Sequence, residues 1–296
     1  MKTVVHFIIA SLLIGTAGGL KTNRTTPVRP SPTRPLQTGY VLKPIPFSAV
    51  HHQQSGMPRL RLWESTSGNW SGFAVPQEGK GVTDTFSEVE GAWEVPAVTG
   101  AKRSNTYSSV WVGLDGYEDG TVEQIGTEQD WTGGRQQNYV WFEMYPSGAY
   151  EIENFPANPG DSISAQVTYL GQTKVQNGRG RGVQESEESV FQMTVINNTE
   201  HVSYTVPGSY TTTPAAARSS AEWVVEAPSM RAILPLADFG SVSFSDCYAT
   251  GLSGRSDPIT AWPADPMTMV DPGGGGSVPS SLSSGGTAFS VQWNAQ

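Results

Sequence analysis

Short apolar and aromatic runs alternate with turn residues along most of the chain. Clusters such as Gly133-Gly134 and Pro207-Gly208 separate the runs, and no helical periodicity is sustained between them. Many short runs at close spacing predict an all-β domain, either an antiparallel β-sandwich or a jelly roll. The predicted strands are Trp70–Val75, Phe86–Val95, Tyr107–Leu114, Tyr139–Tyr145, Ser162–Leu170, Val190–Ile196, Val202–Val206, Ala221–Glu226, Val242–Ala249 and Phe289–Trp293.

Three of these strands carry acidic residues beside aromatic ones. Successive strand residues point to opposite faces, so each strand has one apolar face, such as Trp223 and Val225, and one mixed face. The apolar faces suit the core between two sheets, and the mixed faces can line a groove for an extended polymer. The mixed faces carry Trp141, Glu143 and Tyr145; Trp111, Gly113 and Asp115; and Glu222, Val224 and Glu226.

The composition and charge of the chain argue against one class of partner. The chain has 296 residues, of which 37% are hydrophobic and only 15% charged, with 33 Gly and 21 Pro. Its formal net charge is −9 and its isoelectric point is about 4.9. Because nucleic-acid binding depends on clustered Lys and Arg, we expect no nucleic-acid partner.

The chain divides into three parts. Residues 1–17 have a charged start, the apolar run Val4–Ile14 and small residues up to Ala17, the pattern of a secretory signal peptide that is too short to span a bilayer. Residues 18–65 are rich in proline, with seven Lys or Arg and one Glu, and indicate a basic prosegment. A linker without inhibitory role is the alternative.

Residues 66–296 form the predicted catalytic domain, with ten Lys or Arg against 26 Asp or Glu. Opposite charges favour a prosegment that binds and inhibits this domain. Within the domain, Gly- and Ser-rich residues 271–286 predict a flexible loop. We expect a secreted monomer with no membrane partner.

Several catalytic classes fit poorly. His201 is the only histidine after residue 65 and lies in a polar turn, so Ser–His, Cys–His and zinc sites lack their usual imidazole groups. Cys247, the only cysteine, lies in an apolar alternation typical of a buried thiol. Neither Asp84-Thr85 nor Asp161-Ser162 continues with the glycine of a pepsin-type motif. We expect no metal and no cofactor.

An ordered set of motifs resembles the glutamic peptidases, or eqolisins, from about Asn69 to Ala249. The resemblance implies a secreted acid endopeptidase on a concanavalin A-like antiparallel β-sandwich of two curved sheets, made as a precursor and acting on proteins or peptides. The motifs are Asn69-Trp70-Ser71-Gly72, Ser109–Gly116, Glu123-Gln124-Ile125-Gly126, Asp130-Trp131, Trp141–Pro146, Gly160-Asp161-Ser162 and Ala221–Glu226.

The resemblance also implies residue roles. Gln124 matches the family's catalytic glutamine, and Glu226 is expected as the catalytic glutamate. Ala227-Pro228 follows Glu226 here in place of the further acid and aromatic residue of the family pattern, and the spacing from Gln124 to Asp130 is longer than in the founding pattern. The expected substrate-binding residues are Trp111, Asp115, Asp130, Trp141, Glu143 and Tyr145.

The dyad is chemically sufficient for peptide hydrolysis. A glutamate can take a proton from water and return it to the leaving amine, while the amide N–H groups of a glutamine stabilise the oxyanion. Two alternatives use the same sandwich: a glycoside hydrolase with Glu143 and Glu226 as nucleophile and acid, and a carbohydrate-binding lectin. Only the peptidase needs Gln124.

Overall fold

Eighteen β-strands account for most of the described chain. The computed structural model describes residues 36–37, 39–45, 65–77, 84–177, 184–210, 215–271 and 275–295. The strands are β1 (Leu36–Gln37), β2 (Val41–Pro44), β3 (Ser65–Ser67), β4 (Trp70–Pro76), β5 (Phe86–Glu94), β6 (Thr106–Leu114), β7 (Val122–Thr132), β8 (Arg135–Tyr145), β9 (Tyr150–Glu153), β10 (Ser162–Asn177), β11 (Gln184–Asn197), β12 (Val202–Tyr210), β13 (Ser220–Glu226), β14 (Ser241–Gly251), β15 (Ser256–Pro258), β16 (Asp265–Asp271), β17 (Gly275–Pro279) and β18 (Phe289–Ala295).

These strands form a continuous sheet that folds back on itself as a two-layered sandwich. The front sheet has the order β2, β9, β8, β7, β6, β13, β4, β16. The back sheet has the order β14, β5, β10, β11, β12, β1. β17 and β18 connect the layers, because β16 pairs with β17, β17 with β18, and β18 with β14. All these pairings are antiparallel except that of β1 with β12.

The main core lies between the two sheets. Val112, Phe142 and Trp223 contribute from the front sheet, and Val167 and Phe191 from the back sheet. The other face of the front sheet carries a second apolar group, the front-face cluster, made of Trp70, Ala74, Trp111, Tyr117, Val122, Trp141, Val224 and Met267. The alternation predicted from the sequence, and the all-β antiparallel sandwich, are therefore confirmed.

All ten predicted strands coincide with observed strands, but others were missed. The most consequential is β7, which carries Gln124. Its residues are largely polar yet buried, so its sequence lacks the apolar alternation that indicates a strand. The short strands β9, β15, β16 and β17 were missed as well.

The prediction of a flexible loop over residues 271–286 is wrong for its first part. Gly275–Pro279 forms β17, which pairs with β16 and β18, and Ser277 is buried. Backbone hydrogen bonds to β16 and β18 order this segment from both sides. The frequency of glycine alone therefore does not indicate flexibility.

The predicted signal peptide lies outside the described residues, and only 36–37, 39–45 and 65 of the predicted prosegment lie within them. β2 pairs with β9 at the edge of the front sheet, and Ser65 begins β3, which runs parallel to β16. In the described part of the chain, no helix is long and apolar enough to cross a membrane.

Candidate active site

The face of the front sheet that lies away from the main core carries aromatic side chains with acidic side chains among them. We call this surface the floor. Trp111 and Trp141 belong to the front-face cluster, and Tyr145 packs against it. Glu143, Gln124 and the acids of β13 share this face by strand alternation. The sequence-based grouping of these residues on one surface is therefore correct.

One row of side chains crosses three neighbouring strands at Gln124. Gln124 of β7 lies opposite Gly113 of β6, and Gly113 lies opposite Glu222 of β13. On the other side, Gln124 lies opposite Glu143 of β8, and its Nε2 donates a hydrogen bond to Glu143 Oε2 at 3.0 Å. We call this set the Gln124 row.

Gly113 leaves a gap in the middle of the Gln124 row. A Cβ atom at this position would lie 3.1 Å from Gln124 Cβ and 2.9 Å from the Trp111 ring. The Trp111 ring therefore fills this gap and covers Gly113 on the face that Gln124 and Glu222 share.

Glu226 lies on a different row. It is opposite Ser109 of β6, which is opposite Glu128 of β7. Two strand spacings and four residues place the Cα atoms of Glu226 and Gln124 about 16 Å apart. The Trp111 indole lies between them, since its ring approaches Gly113 while its Nε1 donates to Glu226 Oε2 at 2.8 Å.

Glu222, the first acid of the Ala221–Glu226 motif, lies on the Gln124 row, whereas Glu226 lies on the row on the other side of the Trp111 indole. The expected convergence of Gln124 and Glu226 on one water stays a prediction. The sequence placed both acids on one face, but only strand pairing decides which of them shares a row with Gln124.

Burial dominates the electrostatics of both glutamates. It raises the pKa of Glu222 well above its ordinary value, and the nearby charges of Asp115 and Asp119 add to the effect. Neither carboxyl oxygen of Glu222 has a hydrogen-bond partner. Burial also raises the pKa of Glu226, but hydrogen bonds from Trp111 and Asn69 oppose that rise. Asn69 Nδ2 donates to Glu226 Oε1 at 2.9 Å.

Two of the predicted substrate-binding residues have other surroundings. Asp115 follows the end of β6, where a positive φ of 68° turns it out of the strand alternation. Its carboxylate accepts hydrogen bonds from the backbone N–H groups of Arg218 at 2.8 Å and Ser219 at 2.6 Å. Asp115 thus ties a connecting loop to β6, and its role in substrate binding stays a prediction.

Asp130 does share the face of Gln124, but Glu128 lies between them on β7. Burial raises the pKa of Asp130 to about 7 and that of Glu128 well above its usual range. Glu128 lies on the row of Glu226 and Ser109 and was missed by sequence reasoning. Recognition of β7 as a strand would have found it, since alternation from Gln124 leads through Gly126 to Glu128.

Ser109 and Asn69 complete the floor. Trp141 Nε1 donates to Ser109 Oγ at 2.9 Å, which fixes the indole against β6. Asn69 lies in a tight turn in which Ser67 Oγ accepts from the backbone N–H of Trp70 at 3.0 Å. No group of three or more His, Cys, Asp or Glu in the described ranges is arranged to hold a metal ion.

Comparisons with known proteins identify the family. The model of the Peptidase A4 family matches residues 68–178 and 182–293. Aspergillopepsin-2 from Aspergillus niger is 29% identical over 250 residues, which cover 78% of this chain and 79% of that protein.

Solved structures show the same fold. Scytalido-glutamic peptidase with a transition state analog inhibitor gives a TM-score of 0.59 at 22% identity, over 77% of this chain and 98% of that one. SCP-B, an eqolisin in complex with the tripeptide Ala-Ile-His, gives 0.53 at 20% identity over the same shares. The chain thus belongs to the Peptidase A4 family, the eqolisins, and is a glutamic endopeptidase.

Proposed function

We propose that this peptidase hydrolyses peptide bonds with water held between Gln124 and Glu226. The observation that carries the proposal is the Trp111 indole, which packs over Gly113 beside Gln124 and donates to Glu226 Oε2 at 2.8 Å, so that both residues border the same ring. An ionised Glu226 takes a proton from the water as the water oxygen attacks the scissile carbonyl carbon. The Gln124 N–H groups donate to the oxyanion that forms.

The second half of the reaction uses the same two residues. Glu226, now protonated, gives its proton to the peptide nitrogen as the C–N bond breaks, which leaves a carboxyl and an amine product. Burial favours the protonated form of Glu226. That form suits proton delivery to the amine, and it moves the onset of base catalysis above the ordinary glutamate pKa of about 4.3. Glycoside hydrolysis and lectin binding give Gln124 no such role.

Substitution of the dyad tests the proposal. We expect Glu226→Gln and Gln124→Ala each to lower kcat by about 10²–10³-fold or more, because each removes a group that acts in the transition state. Hydrolysis of denatured casein, measured across acid and neutral pH, gives the profile. Glu200→Gln, an exposed control in a turn, should leave the profile unchanged. Full activity of Glu226→Gln would contradict the assignment.

We also propose that the chain is exported and that residues 18–65 inhibit the domain until acid weakens their contacts. The basic charge of this segment and the ion pair of Lys43 Nζ with Glu151 Oε2 at 2.9 Å support the proposal. Protonation of carboxylates removes such attractions. On acidification, the purified full chain should lose the prosegment, as followed by mass spectrometry. A full chain that keeps its mass in acid would contradict acid activation.

A further inference from the structure

The edge of the front sheet at β9 is covered by a strand from the predicted prosegment. β2 runs antiparallel to β9, with Val41 opposite Glu153 and Lys43 opposite Glu151. The backbone N–H of Ile45 continues the ladder by donating to the carbonyl of Ala149 at 2.9 Å.

The side chains of this strand are held on both faces of the sheet. On the inner face, the Tyr40 ring lies 5.1 Å from Phe155 and 6.0 Å from Tyr204, and Leu42 packs against the main core. On the outer face, the hydrogen bond and charge of Glu151 raise the pKa of Lys43. The edge therefore selects an extended segment with apolar residues on one side and a cation on the other.

The covered edge has the properties of a strand-addition site. Without β2, the outward N–H and C=O groups of β9 have no strand partner, and the apolar slot around Phe155 and Tyr204 opens. Such edges bind extended peptides through backbone hydrogen bonds, while alternate side chains give selectivity. Glu151 and Glu153 add a negative charge that favours Lys or Arg in the bound strand.

The same edge leads towards the proposed catalytic residues. Phe142 of β8 lies opposite Tyr150 of β9, so Ala149, which Ile45 contacts, falls on the row of Glu143 and Gln124. Ile45 itself packs against the front-face cluster. A strand bound at β9 therefore ends level with the Gln124 row, about three strand spacings or 14 Å from Gln124.

From these contacts we propose that the β9 edge is a substrate exosite. It takes an extended stretch of a protein substrate that carries apolar residues at alternate positions and a Lys or Arg. In the full chain, Tyr40–Ile45 fills this site. The proposal deepens the proposed peptidase function and rests on it for the identity of the partner, but binding at the edge is testable without catalysis.

The binding experiment uses the full chain with Gln124→Ala and Glu226→Gln, and the mass of the peptide is checked after binding, so that hydrolysis cannot pass unnoticed. A second substitution, Leu42→Asp, removes the apolar anchor of β2 and should undock it, seen as faster hydrogen exchange in Tyr150–Glu153. A fluorescent peptide with the sequence of residues 39–45 should then bind to the Leu42→Asp chain at least tenfold more tightly than to the chain with Leu42 intact. Its binding should also restore the protection of Tyr150–Glu153 from hydrogen exchange.

Two controls sharpen this result. Leu252→Asp, at a leucine that is 56% exposed, makes the same chemical change away from the edge and should not increase peptide binding. A peptide with glutamate in place of Lys43 should bind several-fold more weakly. Equal peptide binding with and without Leu42→Asp, or unchanged protection of β9 in that variant, would overturn the strand-addition site.

A kinetic experiment tests that the occupant is substrate. In the active protein, Glu151→Lys should raise the ratio of KM for reduced, unfolded casein to KM for a six-residue peptide several-fold, because only the long chain reaches both the edge and the dyad. An unchanged ratio would overturn the exosite, even with the dyad confirmed. Loss of the dyad assignment, by contrast, would leave the peptide-binding result intact.

Discussion

Gly113 shows how one missing side chain can define a site. Its position between Gln124 and Glu222 is where a Cβ would lie within 2.9 Å of the Trp111 ring and 3.1 Å of Gln124 Cβ. Real Cβ atoms make such contacts only if their neighbours move. The aromatic ring and the amide would then shift away from the space that the proposed water occupies.

We therefore expect Gly113→Ala to reduce kcat by at least tenfold while it lowers the free energy of unfolding by only about 1–3 kcal/mol. Parallel kinetics and urea unfolding separate the two effects. Gly120→Ala is the matched control, since a Cβ there meets nothing within 4 Å. A Gly113→Ala variant with unaltered kcat would show that the gap is not used.

Glu226 is held in place by two donors on the aromatic face. Its two oxygens accept from Trp111 Nε1 and Asn69 Nδ2, so it positions the indole that borders the Gln124 row. Both partners are donors, and an acceptor-only carboxylate suits them better than an amide.

We expect Glu226→Gln to turn an N–H group towards one of these donors and to cost about 1–3 kcal/mol of stability. Its kcat should fall further than that of Glu222→Gln, and Glu226→Asp should recover part of it. The acid limb of the pH profile should stay in place in Glu222→Gln, because that limb belongs to Glu226. A Glu222→Gln variant as inactive as Glu226→Gln, with normal stability, would assign the catalytic position to Glu222 instead.

At the scale of elements, strands with one apolar face could be predicted from the sequence, whereas a strand that buries polar side chains could not. β13 shows the first case, since Trp223 and Val225 alternate with acids. β7 shows the second case. It buries Gln124 and Glu128 on its front face, although so many acidic residues in one segment normally indicate a solvent-exposed surface. Catalytic function, rather than packing, explains why these groups are inside.

Pairing between elements is the other part that the sequence left open. The motif Ala221–Glu226 offers two acids on one face, and its pattern is the same whichever acid lies beside Gln124. The choice follows from the alignment of β13 on β6 and of β6 on β7, which involves residues more than 100 positions apart in the chain. Local patterns carry no such information.

At the scale of the whole molecule, many carboxyl groups of the described residues are buried, and few cations lie near them. Burial raises the pKa of Asp115 to about 7, with Asp119 adding to the effect, and burial likewise raises the pKa of Asp130 to about 7. It also raises the pKa of Glu123, with help from the charge of Asp115. Groups whose folded-state pKa is raised bind more protons in the folded state, so ionisation opposes folding.

The free energy of unfolding should therefore be greatest below about pH 4, near the unfolded-state pKa of aspartate, and should fall by several kcal/mol as the pH rises to about 7. Urea unfolding across this range measures the change. Glu123→Gln should reduce the slope, because it removes one buried carboxyl beside Asp115. A urea midpoint that is constant across this range would contradict the assignment of these groups as protonated in the folded state.

The Gln124 row determines how well this enzyme tolerates insertions and deletions. Its amide and its carboxyl lie on β7 and β13, which are joined only through β6, so their alignment depends on the number of residues in that strand. An insertion or deletion of one codon within β6 would turn side chains from one face to the other and separate the pair, even with both residues retained. We therefore expect changes of length to be tolerated in the loops, and the insertion or deletion of one residue in β6 to be more damaging than most substitutions there.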